Sequence, residues 1–449
     1  MKDFAPRLRA SGMSGGEVQG KLALFSRCAS ALAELAEPGV ATVEPLAFFV
    51  PGRIEVLGKH TDYAGGRSLL CAAERGFAVL AQPRDDARVR AVDAVRGETR
   101  VLSLDSRTEP EAGDWAAYLS TVVRRVARDF PRARRGMDVV FASDLPAASG
   151  MSSSSALVIA VFLALEAVNR LGEDPSYRSA ITSPESLAEY LGAVENGRRF
   201  GLMAGGLGVG TLGGSQDQTA ILCCRAGMLS RYSFCPVRAE GEIPFPADRA
   251  FVVAFSGVAA EKTSSARLHY NEASLAVSEI LLLWNEATQQ ADGCLADAVA
   301  SSPGAEEEIR TLLRTSRSRE FTSQRLLERF QQFVAESYDI VPRTAAAFAR
   351  GDLTAVGEFV DRSQQGVELL LGNQIPETIA LARLARAHGA DAASAFGAGF
   401  GGSVWALVAA ADANAFAERW REAYAHEFAL RAEHSEFIVT LPGPGAMRL

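Results

Sequence analysis

The chain is poor in several things that would have fixed its class at once. It has no excess of basic residues: 46 Lys and Arg against 54 Asp and Glu leave a net charge of −8 and a pI near 5.4. No basic stripe offsets that balance, which argues against a nucleic-acid or membrane-surface partner. It lacks a contiguous apolar segment in residues 1–20, so no secretory signal is expected. Its longest apolar run, "ALVIAVFLALEAV" from Ala156 to Val168, carries a glutamate and is too short to span a bilayer. Six cysteines (28, 71, 223, 224, 235 and 294) form no CxxC and no Cys/His cluster. Reduced, mostly buried thiols are expected, and a zinc site or disulfide framework is not. Together these absences predict a cytoplasmic soluble protein. No G-x-x-x-x-G-K-[ST] occurs either, so any nucleotide chemistry must obtain its charge compensation without a P-loop lysine. Lysine is itself scarce, with four among the 46 basic residues, and one of these is Lys59.

What is present is globular: 48% apolar and 22% charged over 449 residues, enough for two or more domains. "LAFFVPGRIEVLG" and "FAVLAQPRDDARVRAV" read as strands, rich in Val, Ile and Phe around turns. "WAAYLSTVVRRVARDF" reads as an amphipathic helix with Leu119, Val122, Val123 and Val126 on one face. A strand, a glycine-serine loop and a long buried helix follow in "GMDVVFASDLPAASGMSSSSALVIAVFLALEAVNRLG". "SPESLAEYLGAVENG" predicts a helix with Ser183 as N-cap and Pro184 at its first position. From "NEASLAVSEILLLWNEATQQ" onward the chain is mostly helical. It closes with helix ("PETIALARLARAHG"), glycine loop, strand ("SVWALVAA"), helix ("ADANAFAERWREAYAHEF") and strand ("EFIVTLP"). That is an α+β pattern. The turn residues of "EGEIPFPAD" place a boundary near 240–250, giving domains over 1–245 and 246–449.

Within this frame "VPGRIEVLGKHTDYAGG", Val50–Gly66, is unusual. It sets Arg53, Glu55, Lys59, His60, Asp62 and Tyr63 into a run that otherwise reads as buried strand. Three glycine-rich stretches accompany it. In "DLPAASGMSSSSALVIA", Asp144–Ala160, glycine and serine stand just before a helix, whose N-terminus offers free N–H groups and partial positive charge. That is a natural phosphate cradle, and a serine hydroxyl there can also ligate magnesium. In "GAGFGGSVWALV", Gly397–Val408, the glycines precede a strand, which disfavours a Rossmann turn. In "GLMAGGLGVGTLGGSQDQTAILCC", seven of the fourteen residues from Gly201 to Gly214 are glycine, and Asp217 follows next to an apolar run. An acid there is a candidate for an environment-tuned role, or else a helix N-cap.

Taken together these stretches resemble the GHMP small-molecule kinases, and within them the galactokinases. "PGRIEVLGKHTDYAGG" is similar to G-R-x-N-L-I-G-E-H-x-D-Y-x-G-G. "LPAASGMSSSSAL" is similar to P-x-x-x-G-L-S-S-S-A-A, "GGSQDQ" to C-G-x-M-D-Q, and "GAGFGGSVWAL" to the third GHMP motif. "LHYNEAS" faintly resembles S-E-Y-N-x-R-R. The resemblance implies a two-domain fold, an N-terminal ribosomal-protein-S5-like domain and a C-terminal ferredoxin-like helical domain, with the active site in the cleft between them. It implies transfer of the γ-phosphoryl group of ATP to a sugar hydroxyl, the anomeric one. The phosphates would lie over Gly150, Met151, Ser152, Ser153, Ser154 and Ser155. Magnesium would be held by Ser154 and Glu195, as hard oxygen donors. Asp217 would accept or orient the proton of the attacking hydroxyl. Arg53 would face Asp217 and the phosphate and keep Asp217 ionised. His60, Asp62, Gly214 and Tyr270 would contact the sugar, with Lys59 beside them.

The departures bear on the acceptor. The family's glutamate at the position of Lys59 implies a contact to the sugar's C6 hydroxyl, and a lysine cannot accept a hydrogen bond. A cation there would favour a carboxylate or phosphate, so an anionic sugar such as galacturonate or glucuronate is one expectation. Lys59 turned to solvent or paired with an acid is the other. Glu55 replaces an asparagine, and Gly213 and Gln216 replace the cysteine and methionine of C-G-x-M-D-Q. The glycine-filled stretch between Glu195 and Asp217 is longer than the family usually shows. A catalytically silent sugar sensor is a further reading, opposed by the presence of Asp217, Arg53 and the serine loop. Mevalonate and homoserine kinases lack the "KHTDY" segment.

Overall fold

The computed structural model describes residues 3–36, 43–107, 115–146, 149–260 and 265–449, the side chains of 265–269 excepted. Ala147 and Ala148 of the serine motif, and the side chains of Leu268 and His269 in "LHYNEAS", lie outside the described residues.

The strands run β1 (Leu46–Leu57), β2 (Arg67–Pro83), β3 (Arg88–Asp93), β4 (Glu98–Ser103), β5 (Met137–Ser143), β6 (Met228–Ser233), β7 (Arg238–Pro244), β8 (Arg249–Phe255), β9 (Ala392–Phe396), β10 (Ser403–Ala409), β11 (Glu436–Thr440), β12 (Pro442–Gly443) and β13 (Met447–Arg448). Among the described residues they form two sheets. The larger has the order β13–β1–β2–β5–β3–β4, with β12 and β6 also on β2 and β7 on β6. It is antiparallel except where β3 meets β5. Side chains alternate across it, as the two-residue period of a strand requires. Phe48, Val50, Val79, Ala81, Val139 and Phe141 enter one core, shared with Leu119, Val122 and Val126 of the helix Ala116–Asp129. Phe49, Ala78, Leu80, Val140 and Ala142 enter another, closed by Val18, Phe25 and Leu32 of the helix Gly15–Glu34. A sheet covered on both faces explains why β1 reads as continuous apolar strand rather than alternating.

The helix Ser153–Asn169 is apolar around most of its circumference and sinks into the first core. The helix Pro184–Glu195 starts on Ser183, whose side chain accepts from Ser186 N while Ser186 Oγ accepts from Ser183 N at 2.9 Å. That reciprocal cap, with Pro184 at the first position, fixes where the helix begins and so where Glu195 ends it.

The smaller sheet has the antiparallel order β11–β8–β10–β9. Ala250, Val252, Val404 and Ala406 face the helices Pro376–Ala387 and Ala413–Glu427. Their neighbours Phe251, Val253, Trp405 and Leu407 point the other way, into the core that also holds Ile54 and Val56 of β1. The chain leaves the large sheet after Pro244 and enters the small one at Arg249. It then returns at its far end, where β12 and β13 pair with β2 and β1. The second half therefore donates its last strands to the first.

Candidate active site

Arg53 and Glu55 are two residues apart on β1 and so share a face, opposite Ile54 and Val56, which are in the core. Beyond the strand the chain turns through residues 58–66 before β2. Glu336, on a π-helical turn Ala335–Ile340, accepts from Gly58 N at 2.8 Å. Thr61 Oγ1 lies 2.8 Å from Gly58 O and 2.9 Å from Arg67 O. His60 is held at φ +56, a region a side chain adopts only when its surroundings require it. This anchoring delivers His60 and Asp62 to a cleft that Arg53 and Glu55 also line.

Asp217 reaches the cleft from the other side. It is the second residue of the helix Gln216–Cys223, which has Ser215 at its N-cap, so Asp217 is not the cap. Arg53 Nε donates to Asp217 Oδ1 at 2.8 Å, and Arg53 Nη1 donates to Gly150 O at 2.6 Å. The guanidinium thus ties the carboxylate to the serine loop, and it lies over the ring of Phe396. Ser155 Oγ lies 2.9 Å from Glu195 Oε2 and 3.3 Å from Asp217 Oδ2. With a single proton it donates to one carboxylate at a time. The structure therefore puts Ser155, rather than Ser154, on Glu195. The reason is helical register: Ser152 caps the helix at φ +60, so Ser155 is the third helical residue and turns inward, while Ser154 stays half-buried. Gln218 Nε2 donates to the same Glu195 oxygen at 2.7 Å.

The serine loop meets the third glycine stretch. Ser403 Oγ donates to Ser149 O at 2.7 Å, and a Cβ on Gly397 would stand 3.0 Å from Gly150 O. Ser149 Oγ and Ser152 Oγ are buried without a hydrogen-bond partner among the described residues. Unmade bonds on buried hydroxyls are costly, and here they stand at the N-terminus of a 17-residue helix whose first N–H groups have no partner within the helix. That donor set fits a phosphate chain.

His60 Nε2 is 3.3 Å from Ala398 O, so this nitrogen carries a proton, and Nδ1 lies 3.0 Å from Tyr63 Oη. Arg329, fully buried, donates to Tyr63 Oη at 3.3 Å. The His60 and Tyr270 rings lie 5.3 Å apart. Asp62 Oδ2 accepts from Gln216 N at 3.1 Å, and burial pushes its carboxyl above the ordinary range. Gly214 passes so close that a Cβ there would lie 2.4 Å from Asp62 Oδ2. The long glycine stretch is pinned rather than loose. Arg128 donates to Gly205 O at 2.8 Å, and Arg124 and Arg128 reach Leu207 O and Ala204 O. Asn196 Oδ1 accepts from Gly213 N at 2.9 Å and Asn271 Oδ1 from Leu212 N at 2.9 Å. Sequence reading missed Asn196, Gln218 and Glu336; the first two adjoin Glu195 and Asp217 in the chain, whereas Glu336 carries no local signal.

Lys59 does not open on the cleft. It is 2% exposed, and its Nζ donates to Ser363 Oγ at 3.0 Å, which in turn donates to Glu336 Oε1 at 3.0 Å. Burial lowers the pKa of the amine, and Glu336 and Glu55 oppose the shift. The expectation of a carboxylate-reading lysine is thereby overturned: the helix Leu353–Gly366 supplies a partner that takes the amine into the protein. Of the two expectations, pairing toward an acid is the one found, through Ser363.

Three family descriptions match the chain in order. A galactokinase galactose-binding signature covers residues 40–83, a GHMP kinases N terminal domain 117–224, and a GHMP kinases C terminal domain 344–426. The chain belongs to the GHMP kinases. Among curated relatives, a galactokinase of Actinobacillus pleuropneumoniae serotype 3 is 33% identical over 183 residues, 40% of this chain and 44% of its own. The match thus spans less than half the length of that relative. A galactokinase of Chloroflexus aurantiacus is 29% identical over 84% of this chain and 87% of its own. Of solved structures, Lactococcus lactis galactokinase complexed with galactose superposes with a TM-score of 0.76 at 24% identity, over 94% of this chain and 100% of that one. The fold of this GHMP kinase is therefore that of the family, with its cleft walled by both halves of the chain.

Proposed function

We propose that this GHMP kinase transfers the γ-phosphoryl group of ATP to the anomeric hydroxyl of a neutral monosaccharide, galactose being the first choice, in the cytoplasm. The observation that carries the reading is the Arg53–Asp217 pair at 2.8 Å, set between the serine loop and the His60–Asp62 turn. Phosphoryl transfer needs in-line positioning and charge compensation more than covalent help. Asp217 is assigned the proton of the attacking hydroxyl. Arg53, already on Gly150 O, is assigned the charge on the transferred group. Met151 and Ser152–Ser155 cradle the phosphates, and Asp62, His60, Gly214 and Tyr270 orient the sugar.

Magnesium would offset charge on the phosphates, and Glu195 with Ser155 would be the oxygen pair to hold it. No group of three or more His, Cys, Asp or Glu poised for a metal occurs among the described residues. A cation held largely by phosphates, with one carboxylate, suits magnesium. We divide the chain into domains 1–245 and 246–449, with the strands at 442–448 returning to the first. Among the described residues no helix is long and apolar enough to cross a membrane, and all six cysteines are free thiols. Free thiols support a reducing compartment.

The cleft lining sets Glu195 and Asp217 against one arginine, Arg53, which is already paired with Asp217, so a uronate would find no spare arginine there to offset its charge. The carboxylate, the arginine and the serine loop meeting in one cleft support turnover over a silent relative. The test is ATP consumption by the purified protein with magnesium against galactose, galacturonate, glucuronate and arabinose. Turnover highest on galactose is expected. Turnover highest on a uronate would overturn the neutral-sugar assignment, and ATP and sugar binding without turnover would make the chain a sensor.

A further inference from the structure

Glu55 has no part in the mechanism above, and its placement is expensive. It is 2% exposed, and its Oε1 has no hydrogen-bond partner among the described residues. A buried carboxyl with an unmade bond is among the least favourable groups a fold can carry. Yet it is not sunk among apolar residues: it follows Arg53 by two positions on β1 and lines the cleft with His60, Asp62 and Asp217. Burial raises its pKa to about 8, with Asp217 and Glu336 reinforcing and Arg53 and Lys59 opposing. Near neutrality it therefore holds its proton in a large share of molecules, and a carboxyl in that state can both accept and donate. A ligand hydroxyl entering the cleft would supply the missing partner without bringing a charge.

We propose that Glu55 is a specificity-determining residue of the acceptor site, its Oε1 hydrogen-bonding a hydroxyl of the neutral sugar other than the one phosphorylated. The proposal rests on the sugar-kinase reading. The reacting hydroxyl is assigned to Asp217, whose side chain is 15% exposed; Glu55, 2% exposed, lies deeper in the same lining, which also holds His60 and Asp62. It is also the one cleft-lining acid whose side chain has an oxygen buried and unpaired among the described residues.

The test is a cycle between protein and substrate: wild type, Glu55→Ala, Glu55→Asp and Glu55→Gln, each assayed for ADP release on galactose and on its monodeoxy analogues. In wild type, loss of one particular hydroxyl is expected to raise KM roughly ten- to hundredfold, the scale of a buried partner left unpaired. Glu55→Ala should raise KM for galactose by a similar factor, with no further rise on that analogue. Glu55→Gln, which keeps an acceptor oxygen in place, should retain the discrimination. Glu55→Asp, which withdraws the oxygen by one methylene, should lose it and serves as the second variant if the alanine protein does not fold. Discrimination unchanged in the alanine or aspartate protein would overturn the proposal. A wild type that phosphorylates no sugar would instead overturn the reading beneath it.

Discussion

At the residue scale the proposed chemistry rests on one charged pair and its neighbours. Asp217→Asn keeps the shape and the hydrogen bond to Arg53 but removes the proposed base. Turnover should fall roughly 10²–10⁴-fold while ATP affinity, measured by calorimetry, stays nearly unchanged; near-normal turnover would remove Asp217 from the mechanism. Glu55 gives a stability prediction with a definite sign. Its carboxyl is raised from 4.5 to about 8 in the folded state. Below about 4.5 both states hold the proton. Between the two values the unfolded chain has released it and the folded chain has not, so stability falls as pH rises through that window. At about 1.4 kcal/mol per pH unit for a full proton, thermal melts from pH 5 to 8.5 should show wild type losing ground against Glu55→Gln. Parallel curves would show that Glu55 is not held protonated. Asp217 and Lys59 differed in how far the sequence revealed them. Asp217 was legible because it adjoins a glycine stretch with a matching motif. Lys59 was not, because its partners Ser363 and Glu336 lie about three hundred positions away and only the packed helices bring them to it.

At the scale of elements, the strand-loop-helix order around each glycine stretch was readable from period and punctuation. The long buried helix, the Ser183 cap and the strand "SVWALVAA" all fall where the pattern sets them. What the pattern could not supply was rotation about a helix axis. The left-handed φ of Ser152 decides whether Ser154 or Ser155 turns to Glu195, and no composition encodes that angle. The glycine stretch 201–214 likewise read as permissive, yet arginines of a helix some eighty residues earlier hold it. Its end lines the cleft through Gly214, one of the residues proposed to orient the sugar. Gly214→Ala would drive a methyl into Asp62 Oδ2, 2.4 Å away. KM for the sugar is expected to rise roughly tenfold or more, on the scale of a lost buried hydrogen bond, with KM for ATP little changed. Equal losses for both substrates would mean that the glycine serves the whole fold rather than the sugar wall.

At the scale of the molecule, the two halves are joined by a continuous apolar core and by a buried polar clamp. Phe251, Trp405 and Leu407 share a core with Ile54 and Val56, and Lys59, Ser363 and Glu336 bind the β1 turn to the helical half. Removing one member of a buried charged group leaves the other uncompensated. Glu336→Gln should therefore cost about 1–3 kcal/mol in denaturant unfolding, whereas a loss near zero would mean that Lys59 is already neutral in the fold. Lys59→Glu should likewise weaken the protein, by setting a new carboxyl beside Glu336 and Glu55, rather than improve its use of galactose. The clamp and the core hold the serine loop, the Arg53–Asp217 pair and the His60–Asp62 turn in one cleft. The most direct measurement is phosphorus NMR of the products formed from galactose and ATP with magnesium. One anomeric galactose phosphate per ADP, absent with Asp217→Asn, is the predicted result. ADP without any sugar phosphate, or a phosphate on a hydroxyl other than the anomeric one, would contradict it.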